Sequence, residues 1–151
     1  MEQLVPLTTS INTDVKDQHI GICVIQAVLA VKKHIAEIGI AKRGTNDKQH
    51  YQYRTLDDIY QKVCSLSAEH GLICIPSAES FTYSNYPTQN GGLMHMHTVT
   101  MSYHFAAQSD GSCFTARIFG SASDAGDKSM SKAVASAHKS MLNQIFEIPV
   151  S

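Results

Sequence analysis

Between Thr98 and Ile118 apolar side chains recur at every second position, and this feature restricts the fold more than any other. Val99, Met101, Tyr103 and Phe105 alternate with Thr98, Thr100, Ser102 and His104, and Phe114, Ala116 and Ile118 alternate with Thr115 and Arg117. A period of two belongs to strands with one buried face, because successive side chains on a strand point to opposite sides. Ser109-Asp110-Gly111 supplies turn chemistry between the two runs, so they pair antiparallel. Upstream, Leu72-Ile73-Cys74-Ile75 reads as a short apolar strand, Phe81 to Tyr86 extends or follows it, and Asn90-Gly91-Gly92 is a further turn. The centre of the chain is therefore expected to be an antiparallel meander of about three strands covered on one face.

Helices supply the cover. Val24, Ile25, Val28, Leu29, Ile35 and Ile38 recur at helical spacing between Ile20 and Ile38, and Gly39 stands where a first helix would stop. Gly44-Thr45-Asn46-Asp47 reads as a loop or hairpin tip between extended pieces near Ile40 and at Tyr51 to Arg54. Thr55 is a candidate N-cap, Asp57 and Asp58 suit the first turn, and Leu56, Ile59, Tyr60, Val63 and Leu66 make the apolar stripe of a second helix ending at Gly71. The small-residue stretch Gly120 to Gly126 reads as a loop, after which Asp127 or Ser129 begins a last helix. At about 100° per residue, Met130, Val134, Ala137, Met141 and Ile145 span roughly 80° of that helix, and Lys128, Lys132 and Lys139 cluster within roughly 40° on the opposite side. The fold class is α+β. At 151 residues and 43% hydrophobic content the chain suits one domain, 17–151, preceded by a polar arm over residues 1–16.

The net charge of -1 excludes a histone-like polycation, but charge is unevenly placed. From Lys32 to Arg54 six basic residues, Lys42 and Arg43 among them, face two acids, a local balance of 6 - 2 = +4. Between Lys62 and Arg117 there is no Lys or Arg, and Lys128, Lys132 and Lys139 then follow with no acid between Lys128 and Phe146. No apolar run of about 18 residues is present, and the N-terminus lacks the layout of a signal peptide, so a soluble protein of the cytoplasm is expected, with no membrane partner. Cys23, Cys64, Cys74 and Cys113 contain no C-x-x-C pair and read as reduced, mostly buried thiols.

Gly126-Asp127-Lys128-Ser129 invites comparison with a phosphate-binding loop, but that loop needs Lys directly after Gly so that amides and ammonium converge on one phosphate. Asp127 breaks the arrangement. A glycine-flanked helix start bearing lysines can nevertheless hold a backbone phosphate of a nucleic acid. His95-x-His97 and His104 have no Cys or carboxylate at completing spacing and are read as ordinary strand residues, so no metal is expected. Tyr51, Tyr53 and Arg54, with Lys48 nearby, interleave aromatic and basic side chains as a surface that stacks bases and pairs phosphates would. Neither a Ser-His-Asp order nor a carboxylate pair stands out for acid-base or nucleophilic work, so sequence order alone points to no catalytic set and no cofactor, although residues distant in sequence can still meet in space.

The run Gly120-Ser121-Ala122-Ser123-Asp124-Ala125-Gly126-Asp127-Lys128-Ser129-Met130-Ser131-Lys132-Ala133, then Ala137-His138-Lys139 and Phe146-Glu147-Ile148-Pro149, resembles the signature of the ERF (essential recombination function) family of phage recombinases. Tyr51-Gln52-Tyr53-Arg54-Thr55-Leu56-Asp57-Asp58-Ile59, followed by Glu69-His70-Gly71-Leu72, is similar to the family's other recognisable stretch. The resemblance covers roughly residues 22 to 149. It implies a β-β-β-α core, ring or filament homo-oligomers, and ATP-independent annealing of single-stranded DNA in a bacterial host cell, with a single-strand-binding protein as a conceivable partner. The sequence departs from the family's aromatic at His138, from a frequent aromatic at Ser140 and from its Cys at Glu147. Expected DNA contacts are Lys128, Lys132, Lys139, Arg117, Arg54, Lys42, Arg43, Tyr51 and Tyr53. A reading from a different class stays open: a small domain that binds a nucleotide or phosphate ligand through the 120–128 loop.

Overall fold

A computed structural model describes residues 20–40, 44–46, 51–53 and 55–148, with backbone only for the segments 44–46 and 51–53. The first helix, α1 (Ile22–Ile38), ends where the Gly39 amide donates to Ile35 O at 2.8 Å and Gly39 takes φ 72°, a conformation that glycine adopts without strain. Two three-residue strands, β1 (Gly44–Asn46) and β2 (Tyr51–Tyr53), pair antiparallel with Gly44 opposite Tyr53. Gly44 to Asn46 thus belongs to a strand of the hairpin, not to its tip, because its backbone groups pair with the Tyr51–Tyr53 segment. Helix α2 (Leu56–Glu69) starts with a capping box: Thr55 Oγ1 accepts from the Asp58 amide and the Asp58 carboxylate accepts from the Thr55 amide. Its stripe is as expected, with Ile59, Val63 and Leu66 buried and Leu56 and Tyr60 packed beside them.

The sheet is the three-stranded antiparallel meander β3-β4-β5. Strand β3 (Leu72–Pro87) is continuous, so the two separate apolar pieces are one strand, bulged between Ala78 and Ser80. Strand β4 (Leu93–Ala107) is central, and Val99, Met101, Tyr103, Phe105 and Ala107 form its buried row. Strand β5 (Cys113–Asp124) runs farther than expected, taking in Gly120 to Asp124 and shrinking the small-residue loop to the bend before Lys128. Helix α3 (Ser129–Ile145) crosses the face formed by β4 and β5, while α1 and α2 pack on β3 and β4.

The contact between α3 and β5 is set by size. A Cβ built on Gly120 would lie 2.1 Å from Ala133 O and 2.5 Å from the Ala137 amide, so only a glycine lets strand and helix approach this closely. The line of α3 against the sheet is accordingly Ser129, Ala133, Ala137 and Met141, rotated by about 60° from the stripe expected from the larger apolar residues. Met130, Val134 and Ile145 flank it half-buried. Phe146 and Ile148 close the core behind the helix, with Phe105 stacked on Phe114 at a centroid distance of 5.0 Å. Among the described residues no helix is long and apolar enough to cross a membrane.

Candidate functional site

The helix N-terminus at Lys128 meets the free part of the sheet. Pairing of His97 with Tyr83 and with Ala122 puts Tyr83, His97 and Phe81 on the sheet face that α3 covers, with His97 at the helix start and Tyr83 and Phe81 on the neighbouring strand β3, to the side of the helix. Phe81 and Tyr83 remain 60% and 48% exposed. His97 lies between them and the helix: its ring is 5.9 Å from Phe81 and 5.0 Å from Tyr83, and its Nδ1 is hydrogen-bonded to Ser129 Oγ at 2.7 Å. His95 stacks on Tyr83 and shares a 2.6 Å hydrogen bond with its hydroxyl. Four rings thus form an open ledge leading to the first turn of α3. The sequence displays Phe81 and Tyr83 among polar residues with no motif around them, and only the β3-β4 register brings them to the lysine-bearing helix.

Asp124 organises the bend. Its carboxylate accepts from the Gly126 amide at 2.9 Å and the Lys128 amide at 3.3 Å, and it pairs with the Lys132 ammonium. Lys132 first, and then the Gly126 amide, hold its carboxyl below the usual carboxylate range. The amides that would cradle a phosphate already serve an internal anion, which weighs against a nucleotide site in the 120–128 segment. Lys128 and Lys139 are exposed and, among the described residues, carry no ion pair.

The remaining expected contacts are dispersed. Arg117 pairs with Ser102 of β4, so it projects from the sheet face opposite α3, where its guanidinium meets Glu79 at 3.0 Å. Glu79, reached through the β3 bulge, also accepts from the Ser102 hydroxyl, and Ser102 and Arg117 together keep its carboxyl low. The expectation that Arg117 flanks the lysines therefore fails on strand alternation. Lys42, Arg43 and Arg54 lie outside the described residues; Tyr51 and Tyr53 are in β2, their side chains undescribed. Part of the basic balance at Lys32 to Arg54 is spent internally, since Lys32 meets Glu147 at 2.9 Å and Lys33 meets Glu37 at 3.9 Å.

His138 is held between two rings: Tyr60 at 5.6 Å and Tyr103 at 5.0 Å, with the Tyr103 hydroxyl 2.9 Å from its Nδ1. Burial lowers the His138 pKa and, aided by Cys74, raises that of Tyr103 to about 12. The Cys74 thiol is pushed up to about 11 by burial, which leaves it unreactive at neutral pH. Cys64 and Cys113 are exposed and Cys23 and Cys74 half-buried, so the thiols are free as expected but not mostly buried. His104 faces away from His95 and His97 and is hydrogen-bonded to Thr115, so the three strand histidines make no common metal site.

A family model described as the ERF superfamily matches residues 24–151. No curated protein matches the chain.

Proposed function

Because the chain belongs to the ERF superfamily, a family of recombination proteins, we propose that it binds single-stranded DNA and anneals complementary strands without ATP, as a homo-oligomer that is not an enzyme. The observation that carries this reading is the adjacency of exposed Phe81 and Tyr83, through His97 and Ser129, to the lysine-bearing start of α3. Aromatic ledges take bases of any sequence and ammonium groups take the phosphates between them, which is the combination sequence-tolerant single-strand binding requires. In this reading the strand passes over Phe81 and Tyr83, meets Lys128 and Lys132, and continues toward Lys139. Tyr51, Tyr53, Arg54, Lys42 and Arg43 are kept as further contacts on the strength of their aromatic and basic chemistry alone. Arg117, on the other face, is left out. A few lysines per subunit hold a strand weakly, and repetition in a ring or filament multiplies them. Annealing in a bacterial cytoplasm, with a host single-strand-binding protein as a further partner, completes the proposal.

The test is oligonucleotide affinity measured against salt. Lys128→Ala together with Lys132→Ala is expected to reduce the salt slope by about 0.7 per lost phosphate contact, with ATP without effect. An unchanged affinity and slope sink the α3 path, and tight ATP binding lost on Lys128→Ala would instead favour a nucleotide site.

A further inference from the structure

We propose that His34, Glu69 and His70 form a binding site for a divalent transition-metal ion of the zinc type, tying α1 to the end of α2. His34 lies in the last turns of α1, Glu69 is the last residue of α2 and His70 is its C-cap. His34 Nδ1 and His70 Nε2 face each other at 2.9 Å, with ring centroids 4.9 Å apart. One ligand atom from each of the three residues can be chosen so that all lie within 4.8 Å of one another. Residues 36 positions apart have been brought nitrogen to nitrogen by the packing of two helices, with a carboxylate beside them.

Two imidazole nitrogens at this distance share a single proton. An ion in the proton's place would engage a lone pair on each nitrogen once the donor ring takes its other tautomer, its proton moving through solvent to the far ring nitrogen with no net release. The donor set, two nitrogens and one carboxylate oxygen, suits zinc and its transition-metal neighbours; magnesium and calcium prefer all-oxygen shells. With bonds of about 2.0–2.1 Å at a tetrahedral centre the two nitrogens stand about 3.3 Å apart, so the pair need open by only about 0.4 Å. The half-buried histidines are positioned by their helices, whereas Glu69 is exposed and free to swing in. A cleft of about 630 Å³ lined by Cys23, Gln26, Glu69, His70 and Gln108 adjoins the cluster and admits the water that would fill a fourth position. This corner is at the Gly71 and Ala107 end of the sheet, remote in the β3-β4 ladder from Phe81 and Tyr83, so the inference stands independently of the DNA path.

The experiment uses the full chain stripped with a chelator and titrated with zinc chloride by calorimetry, with cobalt(II) as a spectroscopic substitute. Expected are one ion per chain, a melting temperature raised by about 5 °C or more at saturating zinc, and tetrahedral cobalt bands without a thiolate charge-transfer band. His34→Gln and His70→Gln should each weaken binding at least tenfold, and Glu69→Gln by a smaller factor. Glu69 is exposed, so its variant separates loss of the ligand from loss of the fold. Affinity no tighter than millimolar, affinity unchanged in His34→Gln and Glu69→Gln, or a cobalt spectrum dominated by thiolate would overturn the site.

Discussion

The two ends of the β3-β4 ladder are built from the same paired strands and treated oppositely. At the Leu72–Ala107 end three helices cover one face, and Tyr103 and Phe105 are almost wholly buried. At the other end β3 is exposed at every position from Ile75 to Pro87, although Phe81, Tyr83 and Tyr86 are as apolar as much of the core. Aromatic side chains on a sheet do not by themselves make a core. They become one only where another element reaches them, and where none does they remain available to a ligand.

The sharpest way to break this comparison is directly under the covering helix α3. Gly120→Val would drive a side chain into the Ala133 and Ala137 backbone and is expected to cost about 3 kcal/mol or more, whereas Phe119→Ala, at a neighbouring position 69% exposed, should change stability by less than about 0.5 kcal/mol. Thermal melts of both variants check it, and equal losses would mean that α3 does not rest on Gly120. The open end should respond in the other observable. Tyr83→Ala and Phe81→Ala are each expected to lose about 1–3 kcal/mol of single-stranded DNA binding while melting within error of the parent. A fall in melting temperature with unchanged affinity would make the ledge structural.

The smallest effect sharpens the comparison through pH. Burial disfavours protonated His138, so its folded-state pKa lies below the ordinary 6.5, and the unfolded chain takes up a proton that the folded one resists. Its contribution to stability is thus complete above about pH 6.5 and declines as the pH falls through that region. His138→Phe should flatten the decline in melting temperature between about pH 7.5 and 5.5, whatever its offset at neutral pH. An unaltered slope would assign the acid sensitivity to other groups.

Much of this architecture is legible in the chain itself. Gly39, Thr55 and Gly71 mark helix ends by backbone chemistry that tertiary packing does not override, and the alternation at Val99 to Phe105 names the buried face residue by residue. The misreadings share a cause. β3 is an edge strand with little to bury and a bulge that breaks its period, so Pro76 to Ser80 carries no strand signal. Gly120 to Asp124 has a loop's composition, yet its first residue is small because the helix approaches closely there, and for the same reason alanines rather than the larger apolar residues mark the contact line of α3. For the candidate site, the exposed lysines of α3 follow from helical spacing, but the ledge of Phe81, Tyr83, His95 and His97 depends on a register between residues on different strands. Arg117 shows the limit in the other direction: being next to the right strand does not place a side chain on the right face.

The open end of the sheet also has an origin in plain length. α3 has 17 residues and β4, on which it packs, has 15, yet a helix advances about 1.5 Å per residue and a strand about 3.3 Å, so the helix is about 25 Å long and the strand about 50 Å. A single helix laid along a strand of equal residue count covers about half of it at most. A residue pair inserted at the β3-β4 turn would lengthen the uncovered part of both strands without asking anything of the core.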